Sequence, residues 1–156
     1  KACGLLQQGE AREAEKLFQQ FLSKAPENPA GLLGLARCLL LQNKLNEARY
    51  ILETFPASRE YNAAQLMVPL ANALIRLKDA PPYSDDPLEA TYLNALRLVS
   101  LGKYEAAMDG MLDVLRHDKR YRNGEVHKVM LGMFEMLGDE SPLTRQYRNE
   151  LASVLF

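Results

Sequence analysis

Apolar residues recur with a period near 3.6 along almost the whole 156-residue chain, the spacing that lines one face of an α-helix. Asn28-Pro29, Asp86-Pro87 and Ser141-Pro142 each set a capping side chain before a proline. The first residue of such a pair can accept a hydrogen bond from an unpaired N–H of the first turn. The proline lacks an N–H at the one position where none is needed. Gly9, Gly102 and Gly138 each follow an apolar helical segment, and Asn43 stands at an equivalent turn. Both residue types tolerate the left-handed conformation that closes a helix. These signals predict hairpins over about 1–26, 28–56, 86–118 and 123–156, with a degenerate unit over 57–80. The first hairpin holds only the end of its leading helix, roughly 1–8, before a helix from Glu10 to Lys24. The others pair Pro29–Gln42 with Leu45–Thr54, Pro87–Leu101 with Tyr104–His117, and Gly124–Leu137 with Pro142–Leu155. In the degenerate unit Pro69 lies inside a helical stretch, where it either kinks one long helix or starts a second, shorter one. Pro81-Pro82-Tyr83-Ser84-Asp85 reads as a linker.

A second pattern is laid over the first. Gly9-x-x-x-x-Ala14-x-x-x-Phe18-x-x-Phe21 returns 34 residues later as Asn43-x-x-x-x-Ala48-x-x-x-Leu52-x-x-Phe55. It returns again, at an irregular interval, as Gly102-x-x-x-x-Ala107-x-x-x-Met111-x-x-Val114. In repeat length and in these positions the chain resembles the tetratricopeptide repeat (TPR) proteins. The resemblance implies one all-α domain, a TPR-like right-handed superhelix of stacked antiparallel helical hairpins, with a concave surface suited to holding another protein. Alanine is expected where the two helices of a hairpin cross closely, since overpacking such a crossing costs about 1–3 kcal/mol. Phe18, Phe21, Leu52 and Phe55 are expected to fill the space between hairpins. An ordinary helical bundle is the alternative, but it leaves the agreement of turn residue, alanine and following apolar positions without a cause.

Charge and composition narrow the function. A formal net charge of −1, with both signs mixed along the chain, argues against general nucleic-acid binding. No apolar run approaches the length needed to cross a bilayer, and no signal-peptide pattern is visible, so no membrane partner is expected. The chain opens Lys1-Ala2-Cys3 inside a helical pattern, so further residues are expected upstream. Cys3 and Cys38 form no CxxC, which fits a reduced, cytoplasmic setting.

No catalytic constellation stands out, and no enzyme activity, cofactor or metal is expected. His117 and His127 lack ligand spacing and read as surface histidines. Cys38 reads as a small buried residue, and Cys3 as a thiol that could be oxidised in a groove. The run Arg116-His117-Asp118-Lys119-Arg120-Tyr121-Arg122 suits a solvated helix C-terminus, or alternatively a docking patch for an acidic partner. Met108, Met111, Met130, Met133 and Met136 suit core packing, or alternatively adaptable binding of apolar clients. The groove face of the second hairpin offers Ala30, Leu33, Gly34 and Arg37, of which only Arg37 could grip a carboxylate. A clamp for chaperone tails is therefore not expected.

The C-terminal segment is more particular. Val129-x-x-x-Met133-Phe134-Glu135-Met136-Leu137-Gly138 is followed by Pro142-Leu143-x-x-x-Tyr147-Arg148-x-x-Leu151-x-x-x-Leu155-Phe156, and Gly124-Glu125-Val126 opens the penultimate helix. This resembles the TPR region of the bacterial thioredoxin-like chaperones called chaperedoxins (the YbbN/CnoX family), most strongly over residues 86–156. The resemblance implies a thioredoxin-like domain upstream and a stress-linked holdase role in cell redox homeostasis and protein folding. It also implies unfolded client proteins, chaperonin and the Hsp70 system as partners. The docking helix for chaperonin would carry Tyr147, Arg148, Leu151, Leu155 and Phe156, and any redox cysteine would lie outside this chain. A generic TPR scaffold or adaptor of a bacterial secretion or envelope-assembly system is the alternative.

Overall fold

The computed structural model describes residues 2–82 and 84–156, with side chains from Glu10 onward. The Cys3 expectation therefore lies outside the described side chains, and Tyr83 of the linker outside the described residues. Among the described residues there are eight helices and no strand: α1 (Ala2–Lys24), α2 (Pro29–Leu41), α3 (Leu45–Glu53), α4 (Tyr61–Leu77), α5 (Pro87–Ser100), α6 (Tyr104–His117), α7 (Tyr121–Leu137) and α8 (Pro142–Leu155). This all-helical architecture is consistent with the expected TPR-like repeat fold.

Two of the three Xaa-Pro starts cap as expected. Asn28 Oδ1 accepts the Gly31 N–H at 3.0 Å, and Asp86 Oδ1 accepts the Leu88 N–H at 3.0 Å. Ser141 precedes α8 without a side-chain cap bond. The turns after α2 and α5 use Asn43 at φ 62° and Gly102 at φ 79°, the left-handed residues that reverse the chain. Gly9 differs. It lies inside α1, which continues unbroken from Ala2 to Lys24, so the predicted stop there is not made. Pro69 is likewise interior to one continuous helix, α4, and no second helix starts there. Its ring removes one helical hydrogen bond, the one to the Gln65 carbonyl.

Packing follows the alanines in part. Ala48 and Ala107 are completely buried and Ala14 is half-buried. Glycines mark further close approaches. A Cβ placed on Gly110 of α6 would lie 3.3 Å from Ala95 Cβ of α5. On Gly132 of α7 it would lie 2.9 Å from the Leu66 carbonyl oxygen and 3.0 Å from Leu70 Cβ, both on α4. The Gly132 crossing shows how the degenerate unit is completed. The unit over 57–80 holds only α4, and α7 packs along it more extensively than either of its sequence neighbours, α3 and α5. The final predicted hairpin is correspondingly loose: α8 rests on α6 as well as on α7. All five late methionines are buried, as core packing requires.

Where α1 meets the α2–α3 turn, Glu15 is buried and accepts hydrogen bonds from Gln42 Nε2 (2.7 Å), Lys44 Nζ (3.1 Å) and Gln19 Nε2 (3.0 Å). Burial alone would raise its pKa. The bonds from Gln42 and Lys44 and the Lys44 charge outweigh that, and hold it below the ordinary glutamate value. A depressed native pKa contributes stability above the unfolded-state value of about 4.3 and loses it as pH falls through the native value. Glu15→Gln should therefore flatten the acid limb of a stability–pH profile. The loss near neutral pH should stay within about 1 kcal/mol, because Lys44 is half-exposed. Urea unfolding from pH 7 down to pH 3 checks this, and an unchanged acid limb contradicts it.

Candidate protein-interaction surfaces

The amphipathic pattern of α8 decides which of its side chains are available. Thr144, Tyr147 and Leu151 recur at helical spacing and are all buried. The Tyr147 hydroxyl donates to Asp109 Oδ1 of α6 at 2.6 Å. Burial first, and then this bond to a carboxylate, push the Tyr147 pKa well above the ordinary phenol range, so the hydroxyl keeps its proton. Arg148 points the other way. Its Nη2 lies 2.7 Å from Asp139 Oδ1, and its guanidinium sits 5.6 Å from the centroid of the buried Phe134 ring. Leu155 is half-buried, and Phe156 is fully exposed. Of the five residues assigned to docking, two therefore sit in the core, one spans to the preceding turn, Leu155 packs in part against the core, and Phe156 is exposed.

Thr144 adds a polar defect to this helix. Its hydroxyl is buried with no hydrogen-bond partner. Thr144→Val keeps the shape and removes the unpaired group, so it should stabilise the fold by about 1 kcal/mol. A shift of the urea midpoint to lower concentration would contradict the expectation.

Arg37 is engaged by α7 and stays about a third exposed. Its Nε donates to the Glu135 carbonyl at 2.8 Å, and its Nη2 lies 3.2 Å from Glu135 Oε1, tying α2 to α7. Beside it the Phe18 ring of α1 covers Gly34, where an added Cβ would meet the ring tip at 2.3 Å. Leu33 is buried. On this face of α2 Leu33 and Gly34 are covered by the fold, Arg37 is partly exposed and Ala30 is exposed.

Three basic residues of the run are held by partners within the fold. Arg116 pairs with Asp113 at 2.9 Å, and Lys119 Nζ donates to the Leu155 carbonyl at 3.2 Å. Arg122 pairs with Glu89 at 2.9 Å and lies 5.6 Å and 5.8 Å from the Tyr92 and Tyr121 ring centroids. Arg122, Asn123 and Gly124 all have positive φ, a left-handed turn that swings the Arg122 side chain towards α5. Next to it the buried Tyr92 hydroxyl donates to Glu125 Oε2 at 2.5 Å, and Arg76 pairs with Glu125 Oε1 at 2.8 Å. Burial and then the Glu125 bond raise the Tyr92 pKa far above the ordinary value. Every charge in this cluster is matched, and it ties α4, α5 and α7 together. Cys38 is buried, and burial together with the Glu15 charge raises its thiol pKa, which leaves it a poor nucleophile. Among the described residues no group of three or more His, Cys, Asp or Glu side chains could hold a metal ion, and no helix is long and apolar enough to cross a membrane.

Two tetratricopeptide repeat models match the chain, one over residues 5–67 and one over residues 70–156. The chain belongs to the tetratricopeptide repeat family. Among solved structures it is similar to a domain of protein VP0806, of unknown function, from Vibrio parahaemolyticus RIMD 2210633. Identity is 25%, coverage is 97% of this chain and 94% of that one, and the TM-score is 0.43. No curated protein matches. As a TPR chain, its helices build a scaffold for protein–protein contacts, and its open apolar side chains mark where such contacts can form. Besides Phe156 these include Leu17 and Phe21 on α1, Tyr50 on α3 and Leu101 at the α5–α6 turn.

The sequence reading did not foresee the Tyr92–Glu125–Arg122 cluster, the capture of Arg37 by Glu135, or the open face of α1. Only the last had a visible signal. Leu17 stands alone among polar residues on the stripe Glu10, Leu17, Lys24, seven residues apart.

Proposed function

We propose that this TPR chain is the protein-binding region of a chaperedoxin-like cytoplasmic holdase, which holds unfolding clients and docks through its C-terminal end on chaperonin and the Hsp70 machinery. The observation that carries this reading is Phe156, a large apolar residue fully exposed at the end of α8 with Leu155 beside it. An exposed aromatic side chain costs the fold little to keep and gains much when a partner pocket desolvates it. Tyr147 and Leu151 support the role indirectly, by holding α8 on α6 and α7 just ahead of Phe156.

The test compares chaperonin capture by the intact chain, by Phe156→Ser, and by a chain ending before Pro142. Phe156→Ser should weaken capture about tenfold with helicity unchanged, as expected for an anchoring aromatic residue. The shortened chain should lose capture altogether. Equal recovery of the intact chain and Phe156→Ser would refute the docking role, and would leave a generic TPR adaptor as the better description.

A further inference from the structure

We propose that the hollow between α4 and α7 binds an acidic peptide segment of a partner protein, with its carboxylates at the Arg122 end and an apolar side chain at the Pro69 end. The two helices run antiparallel: Arg76 pairs with Glu125, while Leu66 and Leu70 lie against Gly132. Beside their contact they leave a cavity of about 290 Å³. Asn72 and Arg76 of α4 line it, with Arg122, Asn123, Glu125 and Lys128 of α7. Val68 and Pro69 of α4 add an apolar strip. Both walls are internal helices, so the hollow is made by the way α4 and α7 pack.

The lining specifies the occupant. Three cations stand around one carboxylate, and that carboxylate is already engaged on both oxygens, by Arg76 and by the Tyr92 hydroxyl. Arg76 and Arg122 each meet their glutamate through Nη2 alone, which leaves further guanidinium N–H groups for a second acceptor. Lys128 is exposed and makes no ion pair or hydrogen bond among the described residues. The Asn72 and Asn123 side-chain amides make none either. These donors share one hollow, and a carboxylate offers them two oxygens in the plane that guanidinium groups prefer. The backbone supports the same reading. Arg122 and Asn123 hold φ 53° and 58°, a conformation costly for residues other than glycine, and such outliers cluster where ligands are held. From Val68 to Arg76 the hollow follows about 12 Å of helix at 1.5 Å per residue. That is the length of roughly three or four extended peptide residues. Two acidic residues can lie over the cationic end, with one apolar side chain on Val68 and Pro69.

The probe is the pentapeptide Gly-Glu-Glu-Leu-Gly, blocked at both ends and titrated into the isotope-labelled whole chain while the Asn72 and Asn123 side-chain amide signals are followed by NMR. Both signals should shift saturably, with a Kd of about 0.1–1 mM at low salt. Raising the salt from about 20 mM to about 200 mM should weaken binding several-fold. The glutamine counterpart Gly-Gln-Gln-Leu-Gly should bind roughly tenfold more weakly or worse. Lys128→Glu should weaken binding about fivefold or more with helicity unchanged, because Lys128 is exposed and unpaired. Asn123→Gly keeps the left-handed turn and removes the amide, so binding should fall about threefold while Tm does not fall, a split that a purely structural role would not give. Amide signals that stay still up to about 5 mM peptide overturn the proposal. So does a glutamine peptide that binds as well, or a Lys128→Glu chain that binds like wild type. Inorganic phosphate that shifts the same amides with a lower Kd than the peptide would also overturn it, and would assign the hollow to a phosphate group. No chaperonin enters this assay, so its outcome is separate from that of the Phe156 test.

Discussion

Tyr147→Ala is expected to cost roughly 3–5 kcal/mol of stability, the range found when a buried aromatic side chain is deleted and its cavity does not collapse. Tyr147 is the largest of the three inward residues of α8, and it is almost fully buried. Its neighbours on that stripe are a threonine with an unpaired hydroxyl and a leucine. Without the ring, α8 keeps little to hold it on α6. Losing the bond to Asp109 alone costs less, about 1 kcal/mol in Tyr147→Phe, because Asp109 is exposed and regains water. Urea unfolding of both variants measures the totals, and amide exchange along 142–155 shows whether α8 opens before the rest. A loss under about 1 kcal/mol in Tyr147→Ala would mean that the ring does not anchor the helix.

Gly132→Val is expected to be comparably damaging, at about 3 kcal/mol or more, with Gly132→Ala costing about 1–2 kcal/mol. The atoms that a Cβ would meet first are the Leu66 carbonyl oxygen and Leu70 Cβ, with Met67 Cα at 3.5 Å. Backbone atoms cannot rotate aside, so α4 and α7 must move apart along their whole contact. Alanine recovers about 1 kcal/mol of helix propensity over glycine, which valine does not fully match. Gly34→Ala is the contrast. Its first obstacle is the tip of the half-buried Phe18 ring, which can swing outward, so the loss should be smaller than at Gly132. Chemical denaturation of the three variants decides the order. A Gly132→Ala chain as stable as wild type would show that the crossing has room to spare.

Helix identity was legible because it is written in local chemistry. Proline and glycine punctuation placed α2, α3, α5, α6 and α8 close to where they lie. The 34-residue recurrence of turn residue and alanine was enough for the family. Pairings between distant helices were not legible. Nothing near Arg37 in sequence announces Glu135, and α7 was assigned to α8 because the two are adjacent in the chain. Gly9 failed for a different reason. A glycine can close a helix but does not have to, and within α1 the helical hydrogen bonds continue through it. Periodicity did not tell which side of α8 faces inward. Leu151, Leu155 and Phe156 stand at i, i+4 and i+5, but only the neighbouring helices determine that the first is buried, the second half-buried and the third exposed.

The α4–α7 pairing sets this chain apart from an open solenoid. In a simple repeat array each unit touches only the next, so units can be added or deleted and stability changes by increments. Here the α5–α6 hairpin leaves and the chain then returns to its starting neighbour. A repeat spliced in anywhere between Leu77 and Tyr121 must preserve that return or lose the cover on α4. The consequence is a closed circuit of helices, in which α4 and α7 depend on each other for burial although a whole hairpin separates them in the chain.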